Sequence, residues 1–277
     1  MGAALQSCLE DLGKGPVVEG MRYAASGGKL LRGYIVVTSA QLFEQPREGH
    51  LLAAAAIECM HAYSLVHDDL PCMDDDDLRR GQPTVHRKWD EATAVLVGDA
   101  LQSFAFELLS RRAVHEDPQV RVELIASLAK ASGAQGMVLG QAQDIAAETA
   151  GRSLTFDDVT ELQANKTGAL IRWSAEAGAI LGKADPAPLR AYANALGLAF
   201  QIADDILDVT GDEAKTGKRV GKDSNAGKAT FVSLLGLEEA RRKARELAEQ
   251  AVDALCGFDA RADNLRQAAM FVVSREF

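Results

Sequence analysis

Apolar residues recur at intervals of three and four along most of the chain, alanine is abundant, and alternating β-branched residues are scarce. This spacing is typical of amphipathic helices, so the pattern predicts an all-α fold. The segments between the apolar runs are short, so we expect a single domain over residues 1–277. The predicted helices cover roughly residues 16–26, 29–43, 49–69, 90–112, 118–147, 156–182, 187–210, 226–235 and 237–254.

Two helix boundaries carry local signals in the sequence. Thr155 is followed three residues later by Asp158, which resembles a capping box. Asp185-Pro186 marks a break before the next helix, because proline cannot continue a preceding helix. These signals place the start of two predicted helices.

Composition and charge limit the classes of partner. The chain has 30 basic and 40 acidic residues, a formal charge of −10, so we expect no binding to nucleic acid or to an anionic membrane surface. We expect no membrane insertion and no signal peptide, because no apolar stretch approaches a membrane span and the N-terminus lacks the signal pattern. The four cysteines form no CxxC pair, which favours a reducing cytoplasm over a disulfide framework or a zinc site.

The segment FQIADDILDVTGD predicts a helix with a strongly acidic face. Its carboxylates repel one another at helical spacing unless a cation lies between them, and oxygen ligands spaced in this way suit magnesium. The alternative is an acidic face exposed to solvent, and this segment alone does not decide between the two. The polar face would carry Gln201, Asp204, Asp205 and Asp208, and the apolar face Ala199, Ile202, Ile206 and Val209.

A second acidic segment, DDLPCMDDDDLRR, follows the helix predicted for residues 49–69. His61, Ser64 and Asp68 lie on one face, so the acidic end continues a polar stripe on an apolar helix. Pro71 then breaks the helical turn before four further aspartates. The run lacks the alternating spacing and central glycine of an EF-hand loop, so the remaining readings are a solvated loop or a magnesium site.

Basic residues stand next to these acidic segments and beside glycines elsewhere. Arg79 and Arg80 either neutralise the aspartates or clamp an anion beside a metal site. GDEAKTGKR and GKDSNAGKA do not qualify as P-loops, because the glycine spacing is wrong and no Ser or Thr follows the lysine. Phosphate recognition would therefore depend on side chains and metal. The basic residues near glycines are Lys29, Arg32, Lys166, Lys218 and Lys228.

These motifs together resemble those of the trans-isoprenyl diphosphate synthases. The stretches that carry the resemblance, in the order of that family, are GGKLLRG, ECMHAYSLVHDDLPCMDDDDLRRGQPTVH, VGDALQSFAFELL, KTGALIRWSAEAG, GLAFQIADDILDVTGD and GKDSNAGKATFVSLLG. The resemblance implies a single-domain helical bundle around a central cavity, usually a homodimer. It also implies a prenyltransferase that joins an allylic diphosphate, such as dimethylallyl or geranyl diphosphate, head to tail to isopentenyl diphosphate with magnesium.

The resemblance assigns roles to individual residues. Asp68 and Asp74 would hold two magnesium ions, and Asp204, with Asp208, a third. Lys228 matches a lysine near the diphosphates. The residues assigned to the allylic diphosphate and its chemistry are Arg79, Lys166, Thr167, Gln201 and, for binding, Lys218. Those assigned to isopentenyl diphosphate are Lys29, Arg32, His61 and Arg80.

Product length is expected to depend on Tyr63, which stands five residues before Asp68. At about 1.5 Å per residue it lies roughly 7 Å deeper along the helix, where an aromatic ring resembles the floor of a pocket for a fifteen-carbon product. The alternatives are that Tyr63 only packs against a neighbouring helix, and that the product has twenty carbons. Leu30 and Gly33 stand where this family commonly has arginine and proline.

Two further readings belong to other classes. A terpene cyclase of related fold is disfavoured, because FQIADDILD replaces the metal motif expected there. A noncatalytic partner subunit of a prenyl synthase is disfavoured by intact aspartates in both acidic segments.

Overall fold

The computed structural model describes residues 2–149, 153–210 and 229–274 and is built almost wholly from helices. Two short strands, a π-helical turn at Ala164–Gly168 and a 3₁₀ turn at Ala260–Ala262 complete the described residues. The strands are β1 (Leu78–Arg79) and β2 (Gln82–Pro83). The helices are α1 (Gly2–Glu10), α2 (Pro16–Ala24), α3 (Leu31–Gln41), α4 (Arg47–Asp68), α5 (Val85–Lys88), α6 (Glu91–Ser110), α7 (Pro118–Ser132), α8 (Met137–Thr149), α9 (Phe156–Gln163), α10 (Ala169–Leu181), α11 (Ala187–Thr210), α12 (Phe231–Leu235), α13 (Leu237–Asp253) and α14 (Asp263–Ser274).

The core is organised around α4, which packs against α1, α3, α6 and α10. Its alanines at 53–56 are almost completely buried, and such small side chains let neighbouring helices approach closely. Gly98 of α6 shows how close this approach is, because a Cβ atom there would lie 2.0 Å from His67 Nε2. The prediction of an all-α fold is confirmed.

The predicted helix 118–147 is wrong as a single element, because the structure divides it into α7 and α8. The break falls in the segment SGAQG. A Cβ atom on Gly136 would lie 2.1 Å from the backbone oxygen of Ala131, a contact that only glycine avoids. Helical periodicity continues through this segment in the sequence, but its two glycines, Gly133 and Gly136, end one helix and precede the next.

The predicted helix 156–182 is present, with the π-helical turn between α9 and α10. The capping box at its start is confirmed, because Thr155 Oγ1 accepts a hydrogen bond from Asp158 N and Asp158 Oδ2 accepts one from Thr155 N, at 3.2 and 2.9 Å. A π turn shifts the faces of a helix relative to a regular one. The residues of the turn therefore point in directions that α-helical spacing does not give.

The strands β1 and β2 form an antiparallel hairpin that the sequence analysis did not predict. Arg80 and Gly81 form its two-residue loop with φ angles of +54° and +73°. Positive φ at both loop positions is typical of a type I′ turn, in which glycine is favoured at the second position. The hairpin projects Arg80 at its tip.

The helix α6 is the one helix in the described ranges that has the length and mean hydropathy of a membrane span. The expectation that no stretch approaches a membrane span is therefore wrong on length and composition. About 44% of the apolar window is buried inside the protein, and core helices of soluble proteins pass the same test.

Candidate active site

The end of α4 brings two aspartates of the first acidic segment together. Asp74 N donates a hydrogen bond of 2.8 Å to the backbone oxygen of Asp68, so the chain turns back across Pro71. Burial raises the pKa of Asp68 to about 6; repulsion from Asp74 adds to this, while attraction from Lys166 opposes it. A cation placed beside these two carboxylates would relieve both the repulsion and the cost of burial.

Arg79 is bound to the aspartate that follows Asp68. Its Nε donates to both carboxylate oxygens of Asp69 at 2.8 and 2.9 Å, and its Nη2 lies 2.5 Å from Asp69 Oδ1. Asp76 lies 3.6 Å from the same Nη2. Arg79 therefore neutralises part of the acidic run, as one reading of the sequence expected, and its bidentate pair fixes the guanidinium beside Asp68.

Arg80 reaches from the tip of the hairpin to the loop before α3. Its Nη1 donates a hydrogen bond of 2.9 Å to the backbone oxygen of Ser26. Gly27 and Gly28 have φ angles of +74° and +75°, and a Cβ atom on Gly28 would lie 2.7 Å from Arg80 Cζ. The loop thus folds against the guanidinium, and the exposed Lys29 follows directly. Lys29 is therefore the residue next to the glycine that contacts Arg80.

His61 and Arg32 lie in the same electrostatic environment as both hairpin arginines. Burial lowers the pKa of His61 well below 6.5, and Arg32, Arg80 and Arg79 lower it further by charge repulsion. The imidazole is therefore neutral at physiological pH and can still donate one hydrogen bond. The Nε of Arg32 is buried without a hydrogen-bond partner. This group of positive charges would attract and bind an anion.

The π-helical turn places the residues of the KTG motif. Lys166 Nζ lies 2.6 Å from Asp144 Oδ2 on α8, and its charge also acts on Asp68. Thr167 Oγ1 lies 3.4 Å from Gln201 Oε1 on α11. The KTG motif thereby contacts both acidic segments, through Lys166 to Asp68 and through Thr167 to Gln201, although these segments are far apart in the sequence.

The acidic part of α11 completes the arrangement. Asp204 is half-buried and attracts Arg32 electrostatically, which places it across from the cationic residues of the first half of the chain. Asp208 follows one helical turn later and is also half-buried. Arg32 is a charged neighbour of Asp204, and Arg79 is one of Asp68. Both arginines act on His61, so the two predicted acidic segments lie around the same group of cations.

Asp205 differs from the predicted acidic face. It is only 5% exposed, accepts a hydrogen bond from Gln201 Nε2 at 3.0 Å and accepts one from Phe231 N at 2.8 Å. It therefore connects α11 to the first turn of α12 and lies inside the protein. Val209 is 54% exposed, so it does not belong to the predicted apolar face. An ideal helical wheel misplaced Asp205 because the start of α12 packs against it.

The chemistry of the donors fits magnesium. Within the described ranges, no group of three or more His, Cys, Asp or Glu side chains is placed to hold a metal ion by itself. Magnesium is usually held by one or two carboxylates together with water and substrate phosphate, so such a group is not required. Asp68 and Asp74 of the first acidic segment and Asp204 and Asp208 of the second are hard oxygen donors of this kind.

The sequence analysis did not assign a role to three acidic residues of this region. It also assigned roles to two lysines whose positions the structure does not describe. Asp69 holds Arg79, Asp144 holds Lys166, and the buried Glu58 lies near the cationic residues. Asp144 had a signal, because GQAQD places two polar residues three apart on an apolar helix. Lys218 and Lys228 lie outside the described residues.

Fold and site together define an all-α bundle in which carboxylates face a set of arginines and lysines. Comparison with known proteins identifies this arrangement further: residues 16–264 match the family model described as Polyprenyl synthetase. The chain belongs to the polyprenyl synthetase family. The predicted family and enzyme class, trans-prenyltransferase, are confirmed.

Individual relatives agree with this assignment over nearly the whole chain. Farnesyl diphosphate synthase of Escherichia coli is 49% identical over 246 residues, 87% of this chain and 82% of that protein. Geranylgeranyl pyrophosphate synthase of Capsicum annuum is 43% identical and covers 88% of this chain and 67% of that protein. The crystal structure of an FPP/GFPP synthase from Zymomonas mobilis superposes with a TM-score of 0.90 at 49% identity, covering 98% of this chain and 95% of the other.

Proposed function

We propose that this prenyltransferase condenses isopentenyl diphosphate head to tail with dimethylallyl or geranyl diphosphate and releases farnesyl diphosphate. The observation that carries the proposal is the convergence of Arg79, Lys166 and Arg32 on the two acidic segments. An allylic carbon–oxygen bond breaks readily only if the departing diphosphate is stabilised, and this needs several cations away from bulk water. Relatives named farnesyl diphosphate synthase at 40 to 49% identity support the same product.

Arg79 and Lys166 would hold the allylic diphosphate, together with Thr167, Gln201 and Lys218. Both cations are held by carboxylates, Arg79 by Asp69 and Lys166 by Asp144, so their orientation is fixed before the substrate arrives. Cations positioned in advance stabilise developing negative charge without reorganisation during the reaction. Thr167 and Gln201 would add neutral hydrogen bonds that do not compete for the same charge.

Magnesium would be held by Asp68 and Asp74 on one side and by Asp204 with Asp208 on the other, and the family resemblance suggests three ions. When bound, magnesium neutralises the charge that develops on the departing diphosphate. The aspartates themselves keep the negative diphosphate at a distance until a divalent cation has bound between them.

Isopentenyl diphosphate would be held by Lys29, Arg32, His61 and Arg80, with Lys228 near the diphosphates. Arg80 is fixed to the loop before α3, and Arg32 keeps a buried donor available. A neutral His61 would donate a hydrogen bond without taking a proton from the reaction. After condensation the departing diphosphate would take the final proton, so no protein base is required; the alkene of isopentenyl diphosphate is the nucleophile, so no protein nucleophile is required either.

Tyr63 would form the floor of the pocket for the growing chain. Its side chain is 8% exposed and packs edge to face on His67, with ring centroids 5.3 Å apart. A ring held in this way is a stiff obstacle at a fixed depth from Asp68. A fifteen-carbon chain would end against it.

The experiment that tests the proposal is product analysis with the purified protein, magnesium, isopentenyl diphosphate and each allylic starter. We expect farnesyl diphosphate from the wild type and products of twenty carbons or more from Tyr63→Ala, because the shortened side chain opens the floor. Tyr63→Phe keeps the ring and is the matched control, with an unchanged product.

The outcomes separate the remaining readings. A twenty-carbon product from the wild type would establish the alternative, geranylgeranyl diphosphate synthesis, and remove the role of Tyr63. No product from either starter would favour a noncatalytic partner subunit.

The assembly would be a homodimer in the cytoplasm. Val95 and Leu96 of α6 are exposed by 42% and 53%, and Val122 of the adjacent α7 by 57%. Two consecutive exposed apolar side chains on α6 and another on α7 are compatible with a contact surface. The unpaired cysteines fit a reducing compartment. Light scattering coupled to size exclusion should give twice the mass of one chain.

A further inference from the structure

The helix α3 begins without a cap from its own sequence. Its N-cap residue is Leu30, which has a φ angle of +48° and makes no capping hydrogen bond with its side chain. The first backbone N–H groups of a helix have no partner inside the helix. Gly33 N, at the third helical position, instead donates a hydrogen bond of 2.7 Å to Oε1 of Glu58 on α4.

Glu58 is an unusual residue for its position. It is 5% exposed, and its neighbours in α4, Ile57 and Cys59, are completely buried. A carboxylate in such a place is costly unless hydrogen bonds and positive charges compensate for the lost water. Burial raises the pKa of Glu58, while the Gly33 hydrogen bond, Arg32 and Arg80 lower it. These partners are the compensation.

The partners of Glu58 belong to two other elements. Gly33 and Arg32 lie in the first turn of α3, and Arg80 lies at the tip of the hairpin. Arg32 also has a buried Nε without a partner, so its guanidinium is held chiefly by its electrostatic neighbours. Glu58 is thus the negative charge that these elements share.

We propose that Glu58 is a positioning residue that caps α3 from the neighbouring helix and holds Arg32 and Arg80 in place for isopentenyl diphosphate. Glu58 does not touch the substrate. The carboxylate stabilises the start of α3 through the helix dipole and keeps two arginines oriented while the site is empty. This inference rests on the proposed function, which assigns Arg32 and Arg80 to that substrate.

The test is the steady-state kinetics of Glu58→Gln. The amide oxygen can still accept the hydrogen bond from Gly33, but the negative charge is lost. We expect the KM for isopentenyl diphosphate to rise about tenfold, while kcat and the KM for geranyl diphosphate change less than about twofold. A purely structural role would change stability and both KM values together.

Two further variants make the test specific. Glu58→Asp keeps the charge and should return the KM for isopentenyl diphosphate to within about threefold of the wild type. Glu48→Gln, in the exposed first turn of the same helix, is the control and should leave all constants unchanged. A lower KM in Glu58→Gln would show that Glu58 merely competes with the anion, and it would overturn the proposal.

The two hypotheses fail in different ways. If the wild type forms no prenyl product, the proposed function is wrong. If the wild type turns over normally and Glu58→Gln has an unchanged KM for isopentenyl diphosphate, or equal increases in both KM values, only the role of Glu58 is wrong.

Discussion

His61 shows how neighbouring charges set the state of one side chain. Burial lowers its pKa below the ordinary value of 6.5, and three arginines lower it further. The unfolded chain therefore takes up a proton on this residue as the pH falls below 6.5, whereas the folded protein does not. The contribution of His61 to stability is present above that pH and is lost as the pH falls below it.

We predict that His61→Gln reduces the loss of stability on acidification. Between pH 6.5 and 5, the free energy of unfolding of the wild type should fall relative to the variant by up to about 1.4 kcal/mol for each pH unit. Urea denaturation at several pH values measures this difference. His115 is partly exposed and distant in sequence, so His115→Gln is the control. Parallel pH curves for wild type and His61→Gln would contradict the prediction.

Other residues of the site were harder to place from sequence. The aspartates of both acidic segments stood out in the sequence because so many like charges close together repel one another, and the family resemblance then assigned four of them to magnesium. Asp69 and Asp205 looked equivalent to their neighbours, but one binds Arg79 and the other binds the start of α12. Glu58 gave no signal, since a single charge in an apolar run can face either solvent or a buried partner. The packing of other elements decides between these cases.

At the scale of the element, the π-helical turn matters most for the site. It joins α9 to α10 and presents Lys166 to Asp144 and Thr167 to Gln201. A regular helix would rotate one of these contacts away, because each residue turns the helix by about 100°. The contacts of Lys166 with Asp144 and of Thr167 with Gln201 therefore depend on the extra residue that the π turn accommodates.

We predict that deletion of Asn165 keeps the protein helical but lowers kcat/KM by about a hundredfold, because the lysine and threonine lose their aligned positions. Circular dichroism measures the helix content, and prenyl transfer measures the activity. Asn165→Ala removes the side chain without changing the register and should retain activity within about threefold. Equal activity of the two variants would show that the π turn is dispensable.

Among the elements, long helices were predicted well and irregular ones poorly. Periodicity found α4, α6, α10 and α11 because each buries a continuous apolar face. It missed the break at 133–136, where close backbone contacts require glycine, and the hairpin, which is too short to show an alternating pattern. Both features depend on local backbone geometry more than on apolar spacing.

At the scale of the whole molecule, an overall charge of −10 coexists with a local group of cations. Under the proposed function, a divalent metal would bind the carboxylates of this site and a diphosphate would bind its cations. Neither ligand alone relieves the repulsion within both groups of charges. Binding of the two should therefore be cooperative.

We predict that magnesium and inorganic diphosphate together raise the melting temperature more than the sum of their separate effects. At concentrations about a hundred times the dissociation constant, the stabilisation is about 2.7 kcal/mol, which corresponds to a shift of roughly 5 to 10 °C for a chain of this size. Differential scanning fluorimetry measures the shift, and EDTA should abolish the joint effect. Asp74→Asn should remove the cooperativity, whereas Asp263→Asn at the exposed start of α14 should not. Simple additivity in the wild type would contradict the prediction.

Because Asp205 points into the protein, substitutions of Asp204 and Asp205 should affect different measured properties. Replacing Asp204 should register in an assay of metal dependence, whereas replacing Asp205 should register in a melting curve, because its hydrogen bonds join α11 to α12. Each of these two adjacent positions thus serves as a control for substitutions at the other. Substitutions at Asp204 and Asp205 can therefore distinguish loss of metal binding from loss of folding stability, although the two residues are consecutive.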